Sequence, residues 1–337
     1  MSENKSVLKQ LRDFGIGPLL GIVVSFFTVP ITTNLLAPEE YGKTSLFTLF
    51  QSIFLLGGLL GLDQSYVRFY NQKELDKGKL TFNSVLFPLV FSVFLSLCIF
   101  VFQRPISEWL FGSYEPLLIV LFCFYLPVLI INRFAMLMIR MDLRGKTYSA
   151  LQLFSQVLDF LILVGLLFCY ERTFRSIVIA AIVTYFISTA VIILFVNRKI
   201  FTKESVQFDK KLVKELLKYG LPCIPYSLLS WVLNSFDKVG LRQWSSFEEL
   251  GLYSAAFKIV SLLTIIQSVF CTTWIPIANK WYEEGVETKE FDKIQKCALA
   301  ASCICFAGVI LFRKVLYLFL GPEYRNTSSI FVFLLFV

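Results

Sequence analysis

Histidine is missing from this 337-residue sequence, and charged residues make up only 17% of it. Without histidine, the chain has no imidazole acid–base groups and no mixed cysteine–histidine zinc site. Its eight cysteines include no Cys-x-x-Cys pair, so we interpret them as small buried residues of apolar runs. A glycine-rich phosphate loop and a paired acidic motif within the apolar segments are also lacking. The sequence therefore predicts no enzyme, no cofactor and no metal.

What is abundant is apolar surface. Hydrophobic residues account for 56% of the chain, 36 residues are phenylalanine, and the mean hydropathy is +0.70. Soluble domains carry about a quarter charged residues, so this composition is typical of a membrane protein. The net charge of +8 is explained by lysines and arginines in the connections between apolar runs. We therefore predict no nucleic-acid partner.

The apolar runs predict a series of membrane-spanning helices, because about 20 apolar residues cross a bilayer. The first run is too long for a signal-peptide core, so it is expected to stay in the mature protein. The last ten residues, from Ser328, have the length of half a span, and we expect the chain to be incomplete there. The predicted spans are Phe14–Leu36, Thr44–Leu62, Phe82–Phe102, Leu117–Ile139, Tyr148–Tyr170, Ser176–Val196, Tyr219–Leu241, Gly251–Ile277, Ile294–Phe312 and the partial span from Ser328.

The distribution of basic residues predicts the orientation. Twenty-one lysines and arginines lie on the side of the N-terminus, eight lie on the other side, and Arg133, Lys238 and Lys258 fall within spans. Cytoplasmic connections of membrane proteins are enriched in basic residues. The N-terminus is therefore expected in the cytoplasm.

Three segments of the chain recur about 210 residues later. LAPEEYGKTSLF, from Leu36, resembles SFEELGLYSAAF, and the pair aligns Gly42 with Gly251. KELDKGK resembles KEFDKIQK, and FQRPISEWLFG resembles LFRKVLYLFLG. The repeat unit spans six helices, an even number, so both copies enter the membrane from the same side and the repeat is parallel.

The repeat predicts the fold class: an all-α polytopic membrane protein with two parallel-repeat lobes of six transmembrane helices, the second of them truncated. Residues 1–200 form the first lobe, and residues 219–337 form the second with three helices and part of a fourth. Residues 201–218 link the lobes. Within them, Asp209–Lys218 has leucines and lysines at helical spacing, which predicts an amphipathic helix on the cytoplasmic face.

Polar residues inside spans are costly and usually face a bundle interior or a wet cavity. In the fifth span, Gln152, Gln156 and Asp159 share one helix face with Ser149. In the seventh, Asn234 and Asp237 form a similar stripe with Ser227 and Ser230, and Lys258 lies in a stripe of the eighth. These stripes predict a polar cavity between the lobes.

Simpler interpretations of the same residues stay open. Small polar side chains can serve helix–helix hydrogen bonding. The long side chains of Lys258 and Arg133 can extend to a membrane interface. The pairs Asp237–Lys238 and Asp63–Arg68 can be ion-paired anchors near span ends.

Several segments resemble the polysaccharide flippases of bacteria, which export O-antigen or capsule repeat units and belong to the MATE-like flippase superfamily. These segments are LLAPEEYGKTSLF, GLDQSYVRFYNQKE, YGLPCIPYSLLSWVLNSFDKVGL, ELGLYSAAFKIVSLL and FLGPEYRNTSSIFVF. The resemblance implies a V-shaped pair of six-helix lobes that works by alternating access. It also implies a cargo, an undecaprenyl-diphosphate-linked oligosaccharide carried from the cytoplasmic to the periplasmic leaflet of the inner membrane. Lys258 and Arg68 match the family pattern, and basic groups suit the diphosphate.

From the spans and the resemblance together we predict a substrate-binding set: Lys258, Arg133, Arg68, Lys238, Asp237, Asp159, Asp63, Asn234, Gln152 and Gln156. Predicted partners are the lipid-linked oligosaccharide and membrane lipids, with polysaccharide polymerase, glycosyltransferases and a coupling H+ or Na+ as further candidates. Lipid II and teichoic-acid flippases are related alternatives. Two further alternatives stay open: a MATE-type cation antiporter, which would require dominant intramembrane carboxylates, and a non-transporting scaffold that recruits polymerase or glycosyltransferase partners in a polysaccharide assembly complex.

Overall fold

A computed structural model describes residues 2–72, 75–196, 206–261, 288–318, 320–327 and 334, and all regular structure in these ranges is helical. This confirms the predicted all-α class. The helices are α1 (Ser2–Leu35), α2 (Pro38–Leu59), α3 (Leu62–Phe69), α4 (Lys77–Val101), α5 (Gln103–Phe111), α6 (Pro116–Met141), α7 (Gly145–Cys169), α8 (Phe174–Phe195), α9 (Lys210–Gly220), α10 (Cys223–Trp244), α11 (residues 247–261) and α12 (Thr288–Leu318), followed by a 3-10 turn at Pro322–Thr327.

Five of these helices are long and apolar enough to cross a membrane: α1 from Asp13, α4, α6, α7 and α8. The bent pair α2–α3 is a sixth candidate. The predicted seventh span is helical as α10 but is less apolar, because it carries Asn234, Asp237 and Lys238. More than half of the predicted eighth span, residues 262–277, and nearly all of the partial span from Ser328 lie outside the described residues. The chain is a multi-pass membrane protein.

The second predicted span, Thr44–Leu62, is not one straight helix. The backbone turns by 55° between α2 and α3. Leu60 and Gly61 have φ angles of 53° and 69°, the left-handed region that ends a helix. Gly61 adopts this conformation without the steric cost that a Cβ imposes. The predicted straight span is therefore wrong, because Gly61 bends the backbone and a hydropathy average over the span does not detect a bend.

The amphipathic helix predicted over Asp209–Lys218 is present as α9. The Asp209 side chain caps its N-terminus by accepting hydrogen bonds from the backbone N–H groups of Lys211 and Leu212. Lys79 of α4 forms an ion pair with Asp209 at 2.7 Å. Its ammonium group, together with the two backbone donors, lowers the pKa of Asp209. The carboxylate therefore stays ionised and keeps α9 attached to α4.

The side chain of Asn83 in α4 adds a second attachment for the same segment. It is fully buried, donates to the carbonyl oxygen of Gln207 and accepts from the backbone N–H of Asp209. Leu212 and Leu216 of α9 are buried in the main core with residues of α3, α4 and α6. The start of the linker helix is thus packed on the helices of the first repeat.

The C-terminal end of α9 crosses the bend between α2 and α3 with its backbone in direct contact with the backbone at Gly61. The Ser65 hydroxyl donates to the carbonyl oxygen of Leu216 at 2.6 Å. A Cβ at Gly61 would overlap the carbonyl oxygen of Gly220, and a Cβ at Gly220 would lie 2.7 Å from the carbonyl oxygen of Gly61. Only glycine fits at both positions, so this crossing requires both glycines.

The chain divides into two compact units, residues 43–245 and residues 1–42 with 246–337. The core of the first lies under α2, α3, α4, α6 and α9 and includes Leu62, Tyr66 and Phe134. The core of the second includes Val29 of α1, Ala255 and Ala256 of α11, and Tyr324. These units are not the lobes predicted from the repeat, whose boundaries stay a prediction.

Gly42 and Gly251, which the repeat aligns, meet in the structure. A Cβ at Gly42 would overlap the carbonyl oxygen of Phe247, four residues before Gly251. A Cβ at Gly251 would overlap the carbonyl oxygen of Pro38, four residues before Gly42. The same offset of 209 positions relates Gly42 to Gly251 and Pro38 to Phe247, so the two contacts exchange when the repeats are exchanged. The contact therefore has local twofold symmetry, as expected where two copies of one repeat face each other.

Candidate functional site

The polar face predicted on the fifth span is formed by α7. Gln152, Gln156 and Asp159 are all partly buried on this helix. The side-chain oxygens of Gln152 and Gln156 are buried and accept no hydrogen bond from the described part of the chain. Buried acceptors of this kind are normally satisfied by water or a ligand. This face of α7 can therefore bind groups that donate hydrogen bonds.

Two tyrosines of neighbouring helices lie near Asp159. Tyr125 of α6 and Tyr185 of α8 pack edge to face, with ring centroids 5.3 Å apart, and each interacts with the Asp159 carboxylate. Gln51 of α2 is hydrogen-bonded to Tyr185. Four helices thus contribute to one polar cluster, which we call the Asp159 cluster.

An ion pair links α3 to α6. The Arg133 Nη2 atom donates to Asp63 Oδ2 at 3.0 Å, and Gln64 approaches the same oxygen. The Asp63 side chain is only 9% exposed, whereas that of Arg133 is 43% exposed. The bend at Gly61 places Asp63 in the first turn of α3, where the helix dipole favours a carboxylate.

The position of Arg133 along α6 determines what it can bind. It lies eight residues before Met141, the last residue of the helix, which is about 12 Å along the axis. A single bilayer leaflet contributes roughly 15 Å of hydrocarbon. Asp63 uses one edge of the guanidinium, and among the residues that the structure describes the other N–H donors have no further partner on this half-exposed side chain. Arg133 thus lies about 12 Å from the end of its helix, a distance comparable with the thickness of one leaflet.

The other predicted residues are separate from this pair. Arg68 is exposed in the last turn of α3. The side-chain amide nitrogen of Asn234 donates to the carbonyl oxygen of Ser230 at 2.6 Å, so this donor is used within its own helix. Asp237 and Lys238 are partly buried on α10, and Lys258 is exposed on α11 in the other compact unit.

A cavity of about 310 Å³ lies between α4, α6 and α8. It contains none of the predicted site residues, and its lining, which includes Phe82, Phe134 and Ile193, is apolar except for Thr81. The Thr81 hydroxyl donates a hydrogen bond to the carbonyl oxygen of Lys77 and does not offer its proton to a ligand. This cavity does not suit a sugar or a phosphate, which require polar partners.

A comparison with protein families decides the assignment. The family described as "Polysaccharide biosynthesis protein" matches residues 15–282. The chain belongs to this family. The resemblance stated from the sequence is thereby confirmed at the level of this family.

Solved structures show the same fold. A MATE transporter in complex with MaL6 superposes with a TM-score of 0.64 at 17% identity, over 97% of this chain and 77% of that one. The inward-facing conformation of a multidrug resistance MATE family transporter of the MOP superfamily gives 0.64 at 17% identity, over 93% and 76%. A MOP superfamily transporter from Pyrococcus furiosus gives 0.61 at 13% identity, over 96% and 76%. Comparison with curated proteins gives no match.

Sequence reasoning named both members of the Asp63–Arg133 pair but matched Asp63 with Arg68. It also missed Tyr125, Tyr185 and Gln51 of the Asp159 cluster. These residues could have been included among the candidates, since each carries a polar group inside an apolar run. The sequence does not show that α2, α6 and α8 pack around α7, so it could not place these residues beside Asp159.

Proposed function

We propose that this polysaccharide biosynthesis protein moves an undecaprenyl-diphosphate-linked oligosaccharide from the cytoplasmic to the outer leaflet of the bacterial inner membrane. Family membership and the MATE-like fold support a transporter of this class. The observation that carries the proposal is the Asp63–Arg133 pair, a half-exposed cation held by a buried carboxylate about 12 Å from the end of α6.

The barrier to this reaction is the hydrocarbon core. A diphosphate and several sugars would have to cross roughly 30 Å of apolar medium, in which charged groups lose their hydration. A transporter lowers this barrier by supplying cations and hydrogen-bonding groups inside the membrane while the isoprenoid tail stays in lipid. The cargo class therefore requires fixed cations and a polar protein face.

Arg133 suits the first requirement. A guanidinium is always charged, and its donors match the oxygens of a phosphate in pairs. Asp63 fixes one edge of the guanidinium, so little side-chain entropy is lost when the other edge binds. The pair is nearly neutral without cargo, which reduces the cost of keeping arginine within the span.

The polar face of α7 suits the second requirement. Sugar hydroxyls are hydrogen-bond donors, and the buried oxygens of Gln152 and Gln156 are acceptors without a donor in the described part of the chain. Lys258, Arg68, Lys238, Asp237 and Asn234 complete the proposed binding set. The N-terminus and α9 lie in the cytoplasm in this proposal, and O-antigen or capsule assembly is the pathway class.

A substitution series at Lys258 tests the role of the second repeat. If the ammonium binds the diphosphate, Lys258→Gln reduces export of the lipid-linked oligosaccharide by roughly one to two orders of magnitude, because an ion pair is lost in a low-dielectric site. Lys258→Arg retains part of the export because the charge is preserved. The measurement is complementation of a flippase-deficient bacterium at equal membrane abundance.

Lys289→Gln is the matched control, since Lys289 is an exposed residue in the first turn of α12. It leaves export unchanged. Wild-type export by Lys258→Gln would show that Lys258 has no role in binding and would leave Arg133 and Arg68 as the cationic groups.

A further inference from the structure

The contact between Gly42 and Gly251 joins the start of α2 to the start of α11. Each glycine faces a backbone carbonyl four residues before the other, so the contact is the same when the two repeats are exchanged. Backbone-to-backbone contact at this range leaves no room for any side chain. The starts of α2 and α11 must therefore move apart before anything can pass between them.

A second contact lies beside the first. Tyr324 donates its hydroxyl hydrogen to the carbonyl oxygen of Leu36 at 2.9 Å, and its ring packs against Tyr41 with centroids 6.1 Å apart. The backbone N–H of Gly321 donates to the Thr33 hydroxyl at 3.1 Å. Three connections meet here: α1–α2, the start of α11 and the turn after α12. All three belong to the side with few basic residues, which is predicted to face away from the cytoplasm.

We propose that this contact, which we call the glycine gate, is the closed gate on the non-cytoplasmic side of the transporter. The inference rests on the proposed function, because a cargo carried by alternating access must leave past this point. In the state described here the two repeats touch at their outer connections. Release of cargo to the outer leaflet requires Gly42 to separate from Gly251.

The charges at the gate make this separation feasible. Glu39 and Glu40 lie in the first turn of α2, and the aligned Glu248 and Glu249 lie at the start of α11. Carboxylates of like charge on two crossing helix ends repel each other. Closure therefore depends on the fit of the two glycines and on Tyr324, and loss of either favours the open state.

Accessibility of a buried reporter tests the gate without any transport measurement. In a cysteine-free background, Ala255→Cys places a thiol one turn beyond Gly251 at a position that is fully buried here. A membrane-impermeant maleimide added from outside labels this thiol slowly. Adding Gly42→Ala or Gly251→Ala increases the labelling rate at least several-fold, whereas Gly57→Ala, at a glycine with nothing within 4 Å, does not.

Cross-linking tests whether the gate must open. Tyr41→Cys with Tyr324→Cys, joined by a short bis-methanethiosulfonate cross-linker that forms a disulfide with each thiol and releases methanesulfinate, blocks export in cells, and a reductant that cleaves these disulfides restores it. Unchanged labelling in both glycine variants at normal abundance, or full export by the cross-linked protein, overturns the gate. If labelling increases but no variant or wild type moves lipid-linked oligosaccharide, the gate stands and the proposed function fails.

Discussion

Gly61→Ala and Gly220→Ala are each expected to lower the melting temperature of the purified protein by roughly 5–10 °C. Each added Cβ meets backbone of the other segment, since the two glycines lie against each other's carbonyl oxygens. Overpacking of this kind costs about 1–3 kcal/mol. At Gly61 the left-handed φ adds roughly 1–2 kcal/mol. Thermal unfolding in detergent, followed by tryptophan fluorescence, measures the effect.

Two other glycines provide the control. Gly57 and Gly165 lie within helices and have nothing within 4 Å of an added Cβ. Alanine at either position is expected to be neutral or stabilising by roughly 0.5–1 kcal/mol, because it reduces the freedom of the unfolded chain. Equal losses at all four glycines would show that the crossing of α9 with the α2–α3 break does not determine stability.

The second large effect is expected at the Asp63–Arg133 pair. Arg133→Gln leaves the Asp63 carboxylate, only 9% exposed, without its partner. Breaking a buried pair costs about 3–5 kcal/mol, which we reduce to about 1–3 kcal/mol because the Arg133 side chain is 43% exposed. Binding of undecaprenyl diphosphate, measured by native mass spectrometry, is expected to weaken by roughly 10- to 100-fold.

The double variant separates stability from binding. Asp63→Asn combined with Arg133→Gln removes the stranded charge, so most of the stability returns while lipid binding stays weak. Arg104→Gln is the matched control, because Arg104 forms a pair of equal length, 3.0 Å, with Glu108 at an exposed position. If the double variant binds undecaprenyl diphosphate like wild type, the pair is only structural.

Elements with a strong local signal were predictable from the sequence. The spans α1, α4, α6, α7 and α8 follow from apolar length, and α9 follows from leucines and lysines at helical spacing. The repeat alignment also identified Gly42 and Gly251 as equivalent positions, although it did not predict that they lie next to each other. Each of these features is predicted by a pattern within one segment of the sequence or by the similarity of two segments.

Long-range packing was not predictable in the same way. Asp63 and Arg133 are 70 positions apart, and their pairing depends on a bend at Gly61 that a hydropathy average does not detect. The Asp159 cluster likewise needs α2, α6 and α8 arranged around α7. Neither local charge patterns nor helical periodicity contains these relations, because each depends on how helices pack against each other.

The measurement that tests the central claim most directly is translocation in liposomes. The protein is reconstituted with a fluorescent undecaprenyl-diphosphate-linked oligosaccharide, and a membrane-impermeant quencher reports how much lipid reaches the opposite leaflet. The account predicts translocation by wild type that Arg133→Gln abolishes and Arg104→Gln does not. Failure of wild type to move this lipid, with transport of an organic cation such as tetraphenylphosphonium that depends on Asp159, would contradict it.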